Sequence, residues 1–204
     1  MKIVIVGGGP GGLYFALLMK KRYPDYDVAV YERNRADDTF GFGVVFSDET
    51  LDNLMDYDAP SYQAITLEFS YWDEIDFHFH GEVVRSTGHG FCGTERRTLL
   101  LVLHARCREL GVKFHFSREI ADLEEFNDAD LIVAADGVNS FIRERYKEHF
   151  QPQVELRRSR RNRSVEVIVI KFGEKLPCLQ LISLFDRNPV EYALRLIGHR
   201  DLFG

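Results

Sequence analysis

The chain opens with a short apolar run that ends in glycines. Residues 2–6, KIVIV, are rich in β-branched side chains and have the length of a strand. Residues 10–22 carry leucines at helical spacing, and residues 27–31, DVAVY, form a second strand-like run. A strand, a helix and a strand in this order predict a βαβ unit. The expected fold class is therefore α/β, a Rossmann-like unit with a parallel sheet.

The glycines between the first strand and the helix have the spacing G-x-G-x-x-G, with Gly7, Gly9 and Gly12 at the three positions. In such a loop the first glycine permits a tight turn and the second lets a pyrophosphate approach the backbone. The third permits close packing of helix and strand. Pro10 and Gly11 complete the loop at the start of the helix, whose N–H groups and dipole favour an anion. The spacing predicts a dinucleotide site.

An acidic residue stands where such a site needs one. Glu32 follows the second strand, twenty residues after Gly12, and a carboxylate there can accept hydrogen bonds from ribose hydroxyls. The alternative is a glycine-rich turn that binds nothing, which the strand and helix context disfavours. This motif does not distinguish FAD from NAD.

A second motif follows an apolar strand-like run at residues 130–134, DLIVA. Asp136 and Gly137 come directly after it, then Ser140 and Arg143. Asp136 is expected beyond the carboxyl end of a strand, where open α/β sheets bind ligands. The alternative is an ordinary turn with a solvated arginine. The pattern D-G-x-x-S-x-x-R resembles the fingerprint of the single-component flavoprotein aromatic hydroxylases.

The resemblance is more specific than this fingerprint. It extends over roughly residues 1–156 and is closest to the hydroxylases that act on aryl-CoA thioesters. The segments that carry it are GGGPGGLYFALLMKK, YERN, DDTFGFGVVFSDETL, GHGF, RCRELGV and DLIVAADGVNS. It implies FAD and NAD(P)H as cofactors, an aromatic acyl-CoA as substrate, and hydroxylation as reaction. Two other classes stay open: a non-catalytic FAD-binding fragment, and a flavin-dependent reductase or dehydrogenase.

The resemblance also assigns residues to the cofactor. Arg96 matches an arginine that contacts the flavin, Gly41 and Gly43 fall in a loop that approaches it, and Arg33 lies near the adenosine. A helix-terminal arginine paired with Glu95 is the alternative for Arg96. No catalytic acid or base is predicted. The full predicted cofactor set is Gly7, Gly9, Pro10, Gly11, Gly12, Glu32, Arg33, Gly41, Gly43, Arg96, Asp136, Gly137 and Arg143.

The middle of the chain predicts a partial antiparallel layer over residues 61–92, with a hairpin at 75–85 that turns at Gly81. Ser47 is expected to cap a short helix and Thr94 to cap another that ends near Gly111. A zinc site is possible in principle, but a hairpin and a family loop explain the same residues better, so we expect no metal. The residues concerned are His78, His80, His89 and Cys92.

The sequence changes character after residue 156. Residues 157–163, RRSRRNR, hold five arginines, and strand-like runs follow at 165–170 and 178–185. The second FAD motif of the family, a G-D segment, is not found here. We therefore divide the chain into an FAD-binding domain at 1–156 and a divergent tail at 157–204. A truncated or frame-disrupted, inactive form and a variant with a rebuilt tail stay open.

Composition limits the partners and the compartment. The formal charge of −6, from 26 Lys and Arg against 32 Asp and Glu, argues against nucleic acid or an anionic membrane as the main partner. Three cysteines without paired spacing predict no disulfide framework. No apolar run reaches the length of a signal-peptide core or a membrane span. We expect a cytoplasmic protein with a small aromatic substrate; the oligomeric state is not predicted.

Overall fold

The computed structural model describes residues 1–38 and 43–151, together with the backbone of three short strands beyond them. The strands are β1 Lys2–Val6, β2 Asp27–Tyr31, β3 Gly43–Phe46, β4 Ser70–Trp72, β5 Ile75–Phe79, β6 Glu82–Ser86, β7 Phe91–Glu95, β8 Lys113–His115, β9 Leu131–Ala134, β10 Gln153–Glu155, β11 Val167–Val169 and β12 Leu179–Gln180. The helices are α1 Pro10–Arg22, α2 Asp48–Thr66, α3 Arg96–Glu109, α4 Phe141–Arg145 and α5 Lys147–Phe150. The chain divides into two compact units, Met1–Ala36 with Cys107–Gly204, and Asp37–Arg106.

The first unit is built on a parallel sheet with the strand order β12-β9-β1-β2-β8. The first strand of the chain lies at its centre, where Ile5 pairs with Val30 on one side and with Val133 on the other. Because parallel strands run in one direction, β1, β2 and β9 all end at the same edge of the sheet. The glycine motif and the Asp136 motif follow β1 and β9 at that edge.

Both faces of this sheet are buried in the first unit. The side chains of α1 that are fully or nearly fully buried include Leu13, Phe15, Leu17 and Met19. A separate apolar cluster lies around β1 and β9 and comprises Val4, Val6, Ile120, Leu123, Phe126, Ala134 and Ile142. A strand covered on both faces reads as a continuous apolar run, which is why KIVIV shows no alternation.

The second unit contains antiparallel sheets. One has the order β3-β7-β4, and the other is the two-stranded hairpin β5–β6. Ser47 caps α2 by accepting a hydrogen bond from the Thr50 N–H. This helix is longer than predicted and is broken at Asp58, which has non-helical backbone angles. The predicted α/β class, a parallel sheet with an additional antiparallel layer, is thus confirmed. The layer differs from the predicted range of 61–92, because residues 61–66 belong to α2 and β3 joins one of the sheets.

Most local predictions are confirmed and one is wrong. The strands at 2–6 and 27–31, the helix at 10–22 and the hairpin turning at Gly81 agree with the structure. Thr94 does not cap a helix, because it lies within β7 and pairs with Val44. The strand ends at Glu95 and α3 begins at the next residue. Backbone pairing with a distant strand outweighs the local capping preference of a threonine.

The tail is described only in part. Each of the two strand-like runs predicted there contains a described strand; β11 pairs with β10, and β12 pairs with β9. The arginine-rich run at 157–163 and the short helix predicted at 190–197 lie outside the described residues. The proposed domain boundary after residue 156 stays a prediction.

Candidate functional site

The turn after β1 can only be made by glycine. Gly7 has φ of +111°, and a Cβ on it would lie 2.2 Å from the carbonyl oxygen of Ala135. Its N–H donates to the Tyr31 carbonyl at 2.8 Å, and the Ala135 N–H donates to the Val6 carbonyl at 2.7 Å. These contacts bring the first glycine of one predicted motif against the start of the other. The two motifs therefore lie side by side at the carboxyl edge of the sheet.

Close contacts within the protein also require a glycine at position 12. A Cβ on Gly12 would lie 2.1 Å from the Gly7 carbonyl oxygen and 3.2 Å from a methyl group of Ile5. The first turn of α1 consequently packs directly on the end of β1. This is the close approach that the sequence motif predicts for its third glycine.

Gly9 differs from these two glycines. Apart from its chain neighbours, none of the described residues has an atom within 4 Å of a Cβ built on Gly9. Its φ of −71° suits any amino acid. The packing of the described residues thus gives no reason for a glycine at this position, at the N-cap of α1. A ligand lying against the helix N-terminus would give one.

The N-terminus of α1 is suited to a phosphate group. Pro10 occupies the first turn, and the Leu13 N–H makes a helical bond to the Gly9 carbonyl at 3.0 Å. The N–H groups that precede Leu13 have no acceptor within a regular helix, and Pro10 has no N–H. No acidic side chain stands in the first turn. The positive end of the helix dipole is therefore not neutralised from within α1.

Glu32 is held against the glycine loop. Its Oε2 accepts a hydrogen bond from the Gly8 N–H at 2.7 Å, and its Oε1 accepts one from the Asn34 N–H at 2.8 Å. The side chain is half-buried. Each carboxylate oxygen has a further lone pair, so the group retains capacity for ribose hydroxyls. Arg33, the next residue, is exposed.

Sequence reasoning did not single out Gly8 and Asn34, which organise this carboxylate. A Cβ on Gly8 would lie 3.0 Å from the Cβ of Glu32, so a larger residue would push the carboxylate away from its donor. The only sequence signal for Gly8 is that a glycine fills a variable position of the motif. The signal for Asn34 is its place directly after the acidic residue and Arg33.

Asp136 has one oxygen engaged and one buried without a partner. Its Oδ2 accepts from the Ile142 N–H at 3.3 Å, whereas Oδ1 has no hydrogen-bond partner among the described residues. Buried acceptors are nearly always satisfied. A donor from a water molecule or a ligand is therefore expected at this oxygen, beside Gly137 with φ of +84°.

The Arg143 side chain forms hydrogen bonds with the loop that precedes its own helix. Its guanidinium donates to the carbonyl oxygens of Gly137, at 3.4 Å, and of Val138. Its N–H donates to the Oγ of Ser140 at 3.0 Å, which confirms Ser140 as the cap of α4. These contacts make Arg143 a residue that fixes the turn after Asp136. Its predicted contact with a cofactor stays a prediction.

Three predicted residues belong to the other unit. Gly43 begins β3, and a Cβ there would lie 2.9 Å from the Thr94 carbonyl oxygen. Arg96 begins α3 and is half-buried. Gly41 lies outside the described residues. The roles predicted for these residues stay predictions.

A cavity of about 630 Å³ lies elsewhere in the first unit. Its lining includes the stacked rings of Tyr31 and His115, with Phe126 and Arg118 beside them. None of the predicted cofactor residues lines it. The glycine loop and this cavity are therefore distinct features.

The described residues contain no group of three or more His, Cys, Asp or Glu side chains placed to hold a metal ion. They also contain no helix with the length and apolar character needed to cross a membrane.

Comparison with known proteins finds relatives for part of the chain. Residues 5–58 match the family model described as NAD(P)-binding Rossmann-like domain. Salicyloyl-CoA 5-hydroxylase from Streptomyces sp. is 46% identical over 156 residues, which is 76% of this chain and 30% of that protein. The 3-hydroxy-4-methyl-anthranilyl-[aryl-carrier protein] 5-monooxygenase of Streptosporangium sibiricum is 32% identical over 143 residues, 70% of this chain and 40% of that protein.

A solved structure gives the same fold. The tetrameric form of 2-methyl-3-hydroxypyridine-5-carboxylic acid oxygenase superposes with a TM-score of 0.62 at 24% identity, covering 76% of this chain and 44% of that one. The chain thus spans less than half the length of each of these relatives. Over about three quarters of its own length, the resemblance to the flavoprotein aromatic hydroxylases is confirmed.

Proposed function

We propose that this chain is the FAD-binding part of a monooxygenase that hydroxylates an aromatic acyl thioester with NAD(P)H and O₂. The observation that carries the proposal is the contrast between the three motif glycines. Gly7 and Gly12 are required by close protein contacts, whereas Gly9 faces no atom of the described residues beyond its neighbours. A glycine at position 9 is explained if the pyrophosphate of a dinucleotide lies against the N-terminus of α1, where a side chain would be in its way.

The described residues supply binding groups for the successive parts of a dinucleotide. The N-terminus of α1 would hold the pyrophosphate, and Glu32 would hold a ribose. Glu32 is already fixed by the Gly8 and Asn34 N–H groups, so little ordering remains when the ligand binds. The unpartnered oxygen of Asp136 offers an acceptor at the same edge of the sheet.

The relatives support the substrate class. By their names, two of them act on an aromatic acyl group carried by coenzyme A or by an aryl-carrier protein. Both carriers attach the acyl group as a thioester, so we assign this chain the same class. Held by these residues, FAD would supply the redox chemistry, which is acceptance of a hydride from NAD(P)H and activation of O₂, so that one oxygen atom goes to the ring and the other leaves as water. The residues described here bind and orient the cofactor, and no side chain is assigned a proton transfer.

One experiment on the full chain tests the proposal in two stages. Absorbance between about 350 and 500 nm, after addition of FAD and removal of the excess, reports whether flavin is retained. NAD(P)H oxidation is then followed with and without benzoyl-CoA or salicyloyl-CoA. We expect retained flavin, and oxidation that the aryl-CoA stimulates would show that this chain also carries the hydroxylation. Oxidation without stimulation would indicate a reductase, retained flavin without oxidation would indicate a binding fragment, and no flavin would contradict the proposal.

A further inference from the structure

Three aromatic rings form a row on the three-stranded sheet of the second unit. The ring of Phe91 stacks on Trp72 at 5.7 Å between centroids and on His89 at 5.1 Å, with interplanar angles of 28° and 20°. Phe91 and Trp72 are paired across β7 and β4, so they share one face of the sheet. We call these three side chains the ring row.

The face that carries the ring row is open among the described residues. Trp72 is 39% exposed, and Val45, on the same face in β3, is 57% exposed. The indole of Trp72 lies over Gly93, where a Cβ would be 3.3 Å from its ring. A glycine at the centre of the sheet therefore lets the indole lie flat along it. The result is a shallow apolar surface whose base is rigid sheet.

Hydrogen bonds from its backbone to Asp73 fix the loop that carries His89. Asp73 accepts hydrogen bonds from the N–H groups of Gly88 and Gly90, at 2.8 and 3.0 Å. These donors hold the pKa of the Asp73 carboxyl below its usual range. The His89 ring is fixed in turn by a 2.7 Å hydrogen bond between its Nε2 and the Ser86 hydroxyl. An exposed histidine is thus held in place at the end of the row.

The segment of the chain that carries the ring row is acidic. Residues 70–91 contain four carboxylates, Asp73, Glu74, Asp76 and Glu82, against the single cation Arg85. Arg85 is already paired with Glu74 and Asp76. An uncharged planar ring gains stacking against such a row and brings no charge that needs a partner.

We propose that the ring row binds the aryl ring of the thioester substrate, which stacks against it as a further ring. The inference rests on the proposed function for the identity of the substrate. Aromatic side chains are the usual lining of small-molecule sites, and the fixed His89 and Gly93 pre-form this one. Trp72, Phe91 and His89 act here as binding residues and touch no reacting group.

Trp72 allows a direct test, because it is the one tryptophan of the sequence. The full chain, without added FAD, is titrated with the benzoyl thioester of N-acetylcysteamine, which lacks the nucleotide of CoA. Excitation at about 295 nm isolates the Trp72 emission, and N-acetyltryptophanamide corrects for collisional quenching. We expect a saturable change in emission with the aryl thioester and none with CoA alone.

Two variants complete the test. His89→Ala should weaken the apparent affinity by roughly 3–10-fold, the loss of one aromatic pair. Tyr71→Ala should leave it unchanged, because Tyr71 pairs with Cys92 and lies on the opposite face of β4. An unsaturable response, an equal response to CoA alone, or an affinity unaffected by His89→Ala would overturn the inference. So would an emission typical of a buried indole that no ligand alters, which would show that protein covers the row. Failure to retain FAD would contradict only the proposed function.

Discussion

The two units of the chain bury their apolar side chains to very different extents. Among the described residues, most of the fully buried apolar side chains lie in the first unit, on β1, α1, β2 and β9. Ten of the eleven large apolar side chains that are exposed lie in the second unit, and Val138 is the exception. The first unit therefore has a core of its own, and the second has a small one. The proposed dinucleotide site lies in the first unit.

The second unit is held by polar contacts where apolar burial is small. Asp58 is fully buried at the break in α2. It accepts hydrogen bonds from the N–H and the hydroxyl of Ser61, and it pairs with the Arg106 guanidinium through both carboxylate oxygens at 3.0 Å. Such a pair fixes geometry and depends on both partners being present. We therefore expect the stability of the first unit to depend most on its close packing and the stability of the second unit to depend most on this ion pair.

The largest effect is expected for a substitution in the glycine loop. Gly7→Ala places a Cβ 2.2 Å from a backbone oxygen at positive φ, so we expect at least about 4 kcal/mol of destabilisation. Gly137→Ala is the matched control, because it also has positive φ, but no atom of the described residues beyond its neighbours lies within 4 Å. It should cost about 1–2 kcal/mol. Urea unfolding measures both; equal losses would contradict the packing argument.

The next effect tests the polar contact of the second unit. Asp58→Ala leaves the Arg106 guanidinium without its buried partner, and we expect a loss of about 3–5 kcal/mol in the free energy of unfolding. Asp76→Ala removes an exposed partner of Arg85 and should change stability little. If the two variants unfolded alike, the second unit would not depend on the buried pair.

Glu32→Ala acts on binding rather than on folding. We expect FAD affinity to fall by about 1–3 kcal/mol, because a charge-assisted hydrogen bond to the ligand is lost and Gly8 loses its acceptor. The exposed Glu119→Ala is the control in the same unit. Parallel titrations with FAD and NAD should show the larger loss for FAD. A loss confined to NAD would favour a dehydrogenase.

The smallest effect is a pH dependence in the second unit. The Asp73 pKa is lowered by its backbone donors, so its contribution to stability is present above the unfolded value of about 3.9. That contribution is lost as the pH falls through the lower folded value. Trp72 emission should therefore change below about pH 4 as the His89 loop loosens. The change should vanish in Asp73→Asn; its persistence would assign the transition to another group.

The sequence predicts the first unit better than the second for a physical reason. In β1, α1 and β2 the local signals agree with the tertiary contacts: an apolar strand, glycines and then Pro10, and a helix ending before Pro24. Thr94 has a local preference that pairing with β3 overrides. The break of α2 at Asp58 has local causes that the sequence prediction did not use: Pro60 follows within the helix, and the Asp58 carboxylate accepts from the Ser61 N–H. The ion pair of Asp58 with Arg106, 48 residues away, is not shown by any local pattern.

The candidate site, like the fold, could be predicted from the sequence only in part. The residue types and spacing identified Gly7, Gly12 and Glu32, whose roles in the loop are set by close contacts. The turn contacts of Arg143 and the unpartnered oxygen of Asp136 are properties of a particular loop geometry. These contacts depend on the path of the chain between β9 and α4, which the spacing of the motif residues does not predict.

The most direct test of the central claim is the variant Gly9→Val. A side chain there meets no atom of the described residues beyond its neighbours, so the free energy of unfolding should stay within about 1 kcal/mol, the cost of a poorer N-cap. The same side chain would occupy the path of the pyrophosphate. We expect FAD affinity, measured by flavin fluorescence titration, to fall by about 100-fold or more. A folded Gly9→Val protein that binds FAD as the unchanged chain does would show that the space before α1 is not a dinucleotide site.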